Sequence, residues 1–150
     1  MKKFKFSLQA LFSYKLTVER MQKAELKKAQ QVLRELLTEE QRLLEAYAEN
    51  ERSLERALRE NIDVASRLSE HDAYFRYLRD ALKEIRERII KAQELVDKCQ
   101  ERLIITMKEI KTYEKLRKEQ YERYKKEVQT EEDKEIGDLV SFNTITEDIN

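Results

Sequence analysis

A seven-residue alternation of apolar positions runs from Phe75 to Tyr113 and limits what this chain can fold into. The a-type positions read Phe75, Leu82, Ile89, Val96, Leu103 and Ile110; the d-type positions read Leu78, Ile85, Ala92, Cys99, Thr106 and Tyr113. Only Thr106 among these is polar. A seam kept in register for this long must lie against another helix, because a lone helix has nothing to bury it. A looser stripe precedes it: Leu8, Leu11, Tyr14, Val18, Met21, Ala29, Val32, Leu36, Leu43, Tyr47, Leu54 and Ala57, interrupted by Glu25, Glu40 and Asn50.

Composition removes the competing folds. The chain has no proline and one glycine, Gly137, so it has few places to turn. With 41% charged residues and an excess of helix formers, many short elements around a deep core are excluded. The 3–4 spacing of the apolar residues excludes a disordered polyelectrolyte.

The predicted class is all-α, a long antiparallel two-helix coiled-coil hairpin in a single domain. Helix one covers about 7–60, the turn 61–69, helix two about 70–136, and a tail 137–150. Ser7 is the expected N-cap, with Phe6 and Leu11 as a hydrophobic staple. Asn61, Asp63, Ser66 and Ser69 compete with helical hydrogen bonds across the turn, and Ser69 with Asp72 resembles a capping box. After Tyr113 the stripe continues through Leu116, Tyr121, Tyr124 and Val128 with a stutter-like step. Ile136-Gly137 reads as a helix C-terminus, leaving DLVSFNTITEDIN as a frayed tail. Folding back at the turn sets Leu54 near Leu78, Leu36 near Val96, Val18 near Tyr113 and Phe4 near Val128. A single continuous helix dimerising in parallel is the alternative.

Charge is uneven although the net is zero. Residues 1–28 hold eight Lys/Arg and two Glu, +6; residues 29–70 hold six and ten, −4. Residues 71–130 hold sixteen and twelve, +4; residues 131–150 hold one and seven, −6. The hairpin places the basic amino-terminal segment beside Lys108, Lys111, Lys115, Arg117, Lys118, Arg123, Lys125 and Lys126. That cationic region reads as a solvated coiled-coil surface with i,i+4 pairs such as Glu114–Lys118 and Glu122–Lys126, or as a docking surface for an acidic protein. Nucleic acid is disfavoured, because interleaved Glu residues blunt phosphate attraction.

No catalytic set can be assembled. His71 is the single histidine and reads as an exposed or capping residue, so a triad or a His/Cys metal site is not available. Cys99 takes a seam position as a small apolar group, and a single cysteine fits a reducing compartment. One glycine cannot build a phosphate loop. The chain reads as noncatalytic and without cofactor or metal. No secretory signal pattern or roughly 20-residue apolar span is present, so a soluble cytoplasmic protein is expected. The aromatic residues gather in two places: Tyr74, Phe75 and Tyr77 after the turn, and Phe4, Phe6, Phe12 and Tyr14 with Tyr113, Tyr121 and Tyr124. They either cap the seam or anchor partners.

The opening KFKFSLQALFSYKLTVERMQKAEL resembles the amino terminus of the flagellar export protein FliJ family. HDAYFRYLRDALKEI resembles that family's Tyr-rich entry into helix two. The resemblance spans nearly the whole chain but departs at KEIGDLVSFN, where the family carries helix further. It implies a hairpin similar to the central stalk of rotary ATPases and a noncatalytic adapter role in the flagellar type III protein export apparatus. The implied partners are the export ATPase hexamer, the cytoplasmic domain of the export gate, and export chaperones. Membrane association would be peripheral, at the cytoplasmic face, through those partners. By that analogy Phe4, Phe6, Leu8, Leu11, Lys115, Lys118, Tyr121, Tyr124 and Lys125 meet the ATPase ring. Tyr74 and Tyr77 remain for gate or chaperones. A prefoldin-like or structural hairpin unrelated to flagella is the competing reading.

Overall fold

The computed structural model describes residues 2–149, nearly all of them in two helices: α1, Gln9–Glu60, and α2, Val64–Ile149. The protein is all-α, and the two helices pack against each other as a hairpin. Their residues fall into two compact units. A turn unit holds Met21–Leu103, and a termini unit holds Met1–Arg20 with Ile104–Asn150.

The expected seam is inside. All twelve of its positions from Phe75 to Tyr113 are buried or half-buried, Thr106 included. Heptad spacing therefore sufficed to place α2's inner face. In the turn unit Leu43, Leu78, Leu82 and Ile85 form one cluster, with Leu36, Tyr47 and Ile89 packed on it. Ala29, Val96 and Cys99 form a second, flanked by Leu26 and Leu33. Leu78 is only 1% exposed, and burying such a side chain contributes roughly 2 kcal/mol. In the termini unit Phe6, Phe12 and Ile110 are buried, with Phe4, Leu8, Leu16, Tyr113 and Leu116 around them.

The turn is shorter than expected. Asn61, Ile62 and Asp63 suffice, with Asn61 at φ 51° and Asp63 at φ 46°. Asn and Asp are the non-glycine residues that tolerate this left-handed region best. The Asn61 amide donates to the Ala57 carbonyl at 3.2 Å, and the Arg67 amide donates to Asp63 at 3.2 Å. Arg67 also pairs with Glu60 across the turn at 3.1 Å. Helix α2 thus starts at Val64 rather than near Glu70. His71 and Val64 continue the d-type positions of the seam backward while Leu68 is exposed, and the packing of half-buried Val64 outweighs the helix-breaking tendency of Ser66 and Ser69. The expected capping box lies within the helix, and Asp72 instead pairs with Arg76 at 2.5 Å.

Moving the turn moves the pairing by about one heptad. Tyr47, not Leu54, meets the start of the seam, its ring 4.8 Å from that of Phe75. Ala29 takes the place expected for Leu36 against Val96, and Phe12 that expected for Val18 against Tyr113. Phe4 meets Tyr121 and Tyr124 rather than Val128. The first half of α1's stripe is corrected too. Leu11, Tyr14, Met21 and Val32 are exposed, while Phe12, Leu16, Leu26 and Leu33 face inward. Glu25 lies outside the stripe, and half-buried Glu40 reaches Arg86 at 3.3 Å.

Asn50 interrupts the stripe by design of a different kind. It is buried and lies opposite His71, with Asn50 Oδ1 and His71 Nδ1 at 2.6 Å. The Asn50 side-chain amide also donates to the His71 carbonyl at 3.1 Å. His71 is thus neither a cap nor freely exposed.

Both helix ends differ from expectation. Helix α1 begins at Gln9: the Leu8 carbonyl accepts the Phe12 amide at 2.8 Å, and Gln9 closes a turn onto the Phe6 carbonyl at 3.1 Å. Ser7 bonds Gln120 of α2 rather than capping its own helix, its Oγ accepting from Gln120 Nε2 at 2.9 Å. Phe6 packs edge-on to Phe12 at 6.3 Å, replacing the staple expected with Leu11. At the other terminus Gly137 does not stop α2, which continues to Ile149 with no left-handed glycine. One helical glycine costs about 1 kcal/mol, too little by itself to end a long helix already propagating from strong formers before it.

Candidate partner-binding surfaces

In the termini unit, the non-helical residues before α1 lay Phe4 against α2. Its ring meets Tyr121 edge-on at 5.1 Å and Tyr124 at 5.5 Å. The Tyr124 hydroxyl donates to the Lys2 carbonyl at 2.6 Å and holds the amino-terminal segment against α2. Three residues apart on α2, Tyr121 and Tyr124 stack at 6.3 Å, and Lys125 Nζ sits 4.8 Å over the Tyr121 ring. A cation over an aromatic face is stabilised by the ring quadrupole, and it leaves the charge solvent-facing.

Phe4, Tyr121, Arg117, Lys118 and Glu114 line a cleft of about 330 Å³. A wider one of about 730 Å³ is bordered by Lys2, Lys3, Lys5, Arg123 and Tyr124, with Gln120 and Glu127. Aromatic floors and cationic walls suit an acidic ligand surface with an apolar anchor. Lys15 and half-buried Glu109 form an ion pair between α1 and α2, and this hydrogen bond holds the Lys15 ammonium above the usual lysine range.

Of the residues singled out from sequence, Phe4, Lys118, Tyr121, Tyr124 and Lys125 come together here. Lys115 is exposed along the same face, beside Lys118 and Arg123. Phe6 is buried and Leu8 half-buried, so both support the site from beneath. Leu11 is exposed and outside the cluster. Glu122 pairs with Lys125 at 4.0 Å. Sequence reasoning passed over Lys2, Lys3 and Lys5 as site residues; their interleaving with Phe4 and Phe6 was the available signal.

In the turn unit, Tyr74 and Tyr77 are exposed and stacked, with centroids 6.1 Å apart and planes 14° from parallel. Tyr77 borders a shallow cleft with Arg42, Leu43, Ala81 and Arg88. Arg42 is itself held by Glu39 at 2.6 Å, and that bond lowers the Glu39 carboxyl below the usual range. Among the described residues no cluster of His, Cys, Asp and Glu could hold a metal. Nor is any described helix long and apolar enough to cross a membrane.

The family model of the flagellar FliJ protein matches residues 4–147. The chain belongs to the FliJ family. The match takes in both aromatic clusters and the stretch after Gly137, where the sequence had departed from the family pattern. FliJ proteins are noncatalytic components of flagellar export, so this chain is an export-associated protein and not an enzyme. Neither the curated proteins nor the solved structures offer a match to it.

Proposed function

We propose that this FliJ-family chain is a stalk and adapter that binds the hexameric export ATPase and couples it to the export gate and to chaperones. It acts in the cytoplasm, reaching the membrane face through those partners. The observation carrying this reading is the termini unit's surface, where Phe4, Tyr121 and Tyr124 lie among Lys2, Lys118, Arg123 and Lys125. A ring lumen recognises such a surface by acidic groups around an apolar contact, and the charges steer entry. The stacked, exposed pair Tyr74–Tyr77 supplies a second anchor for gate or chaperone.

The test is ATP hydrolysis by the cognate hexamer. Adding the wild-type chain raises the rate, and Lys115→Glu, Lys118→Glu and Lys125→Glu combined weaken that response at least about tenfold, consistent with loss of several charge contacts. These side chains are exposed, so helicity and melting stay unchanged. No effect of the wild-type chain on hydrolysis, with no co-sedimentation, overturns the proposal.

A further inference from the structure

Helix α2 outruns its partner. The described part of the segment before α1 reaches Lys2, which meets Tyr124, and every residue from Gln129 to Asp148 is exposed. Yet this overhang is not a plain polar helix. Leu139, Phe142 and Ile145 recur three residues apart along one side, Ile136 and Val140 lie round from them, and all five are 58–67% exposed. The side-chain hydrogen bonds of Gln129, Thr130, Thr144 and Thr146 stay within the helix itself. A solitary helix of about twenty residues carrying a glycine is marginal in water, so an apolar face of this kind calls for a cover.

Charge identifies the cover. Residues 131–150 carry seven acidic and one basic residue, while residues 111–130 of α2 carry Lys111, Lys115, Arg117, Lys118, Arg123, Lys125 and Lys126 against Glu114, Glu119, Glu122 and Glu127. Lys2, Lys3 and Lys5 add to the basic side of the same unit. Being one continuous helix, α2 cannot fold its overhang back onto its own basic stretch. We infer that a second copy of this chain covers the overhang, two α2 helices lying antiparallel so that each acidic overhang packs on the other's cationic, aromatic surface.

The fit is symmetric. A two-fold axis near Val128 sets residues 131–145 of one copy against 111–125 of the other, about 21 Å of helix on each side. Glu131, Glu132 and Glu135 then face the region of Arg123, Lys125 and Tyr121, and Leu139 and Phe142 approach the cleft beside Lys118. Both contacts form at once, which closes the assembly as a dimer and leaves no open patch for a third copy. The dimer covers the surface proposed to meet the ATPase, so it is a storage form that competes with ring entry.

Sedimentation equilibrium on the full chain tests this, with charge-swapped variants as the control. The wild type reaches twice the 18.2 kDa chain mass at low salt and dissociates as salt screens the contact. Glu131→Lys, Glu132→Lys and Glu135→Lys combined give a monomer, as do Lys115→Glu, Lys118→Glu and Lys125→Glu combined. Mixing the two variants restores a dimer, because the one reversed overhang then meets the one reversed surface and the unaltered overhang meets the unaltered surface. Hydrogen exchange across 131–149 slows with protein concentration in the wild type and in the mixture, and in neither variant alone. A wild type that stays monomeric at every concentration overturns the proposal, since the overhang is then covered by another protein or by solvent. Masses above two chains, or a dimer indifferent to both reversals, overturn it equally.

Discussion

The turn unit and the termini unit are built from the same two helices and solve different problems. Met21–Leu103 is joined by Leu, Ile, Val and Ala, with one internal polar pair, Asn50–His71. The termini unit is joined by Phe6, Phe12 and Ile110 and ringed by tyrosine, lysine and arginine. Small aliphatic layers bring helices close, with Tyr47 on Phe75 as the turn unit's ring contact between helices and Tyr74–Tyr77 left on its outside. In the termini unit large rings hold helix and amino-terminal segment together while their edges stay available. Aliphatic packing dominates one unit, and aromatic and cationic chemistry the other.

The sharpest way to break that comparison is truncation at matched residue type. Leu78→Ala removes a fully buried side chain and lowers unfolding free energy by about 2–5 kcal/mol in urea titration. Leu139→Ala, at 62% exposure, leaves the stability of the monomer within about 0.5 kcal/mol. Equal losses would show that the overhang is packed within one chain.

A second variant addresses pairing rather than strength. Asn50→Leu removes the one buried polar requirement of the turn unit's inner stripe and leaves His71 facing an apolar side chain. Stability is retained or rises, as when buried polar seam residues are replaced, but pairing loses its unique register. Spin labels at Glu35 and Arg88, which border one cleft, report a single distance in the wild type. In Asn50→Leu a second distance appears, displaced by about 10 Å, the length of a heptad. A single unchanged distance would mean that the turn alone holds the register.

The smallest effect concerns Lys15 and Glu109 in the termini unit. The ion pair raises the Lys15 pKa, so its contribution is complete below the ordinary lysine value of 10.5 and is lost as pH rises through the raised value. Lys15→Met therefore melts slightly lower than wild type at pH 7, and the gap closes above the lysine range. In the turn unit the sign reverses. Arg42 lowers the Glu39 carboxyl and Arg52, then Arg56, lowers that of Glu49. Those contributions exist above the ordinary carboxylate value of 4.5 and fade as pH falls through the lowered one.

The candidate site was legible where residue type and helical spacing coincide. Tyr121, Tyr124 and Lys125 lie within one turn of each other, and any helix brings them together. Phe4 reaches them only because the non-helical residues before α1 are anchored by Lys2 and Ser7 to α2. Leu11 failed for the opposite reason. It satisfies the helical period as well as Phe12 does, and only the partner helix distinguishes the two faces.

The amino-acid sequence alone determined the helical class, the inner face of α2 from Phe75 to Tyr113, the absence of a catalytic set and the family. Those follow from composition and a local seven-residue period, which need no knowledge of the partner. Only the tertiary structure decided which heptad meets which. A slip of one heptad returns a to a and d to d, so the pattern is nearly blind to it. Three turn residues, two of them left-handed, and the Asn50–His71 pair set opposite each other select one register from these near-equivalents. The continuation of α2 past Gly137 is a local matter instead, since the residues there are exposed and a single helical glycine costs only about 1 kcal/mol.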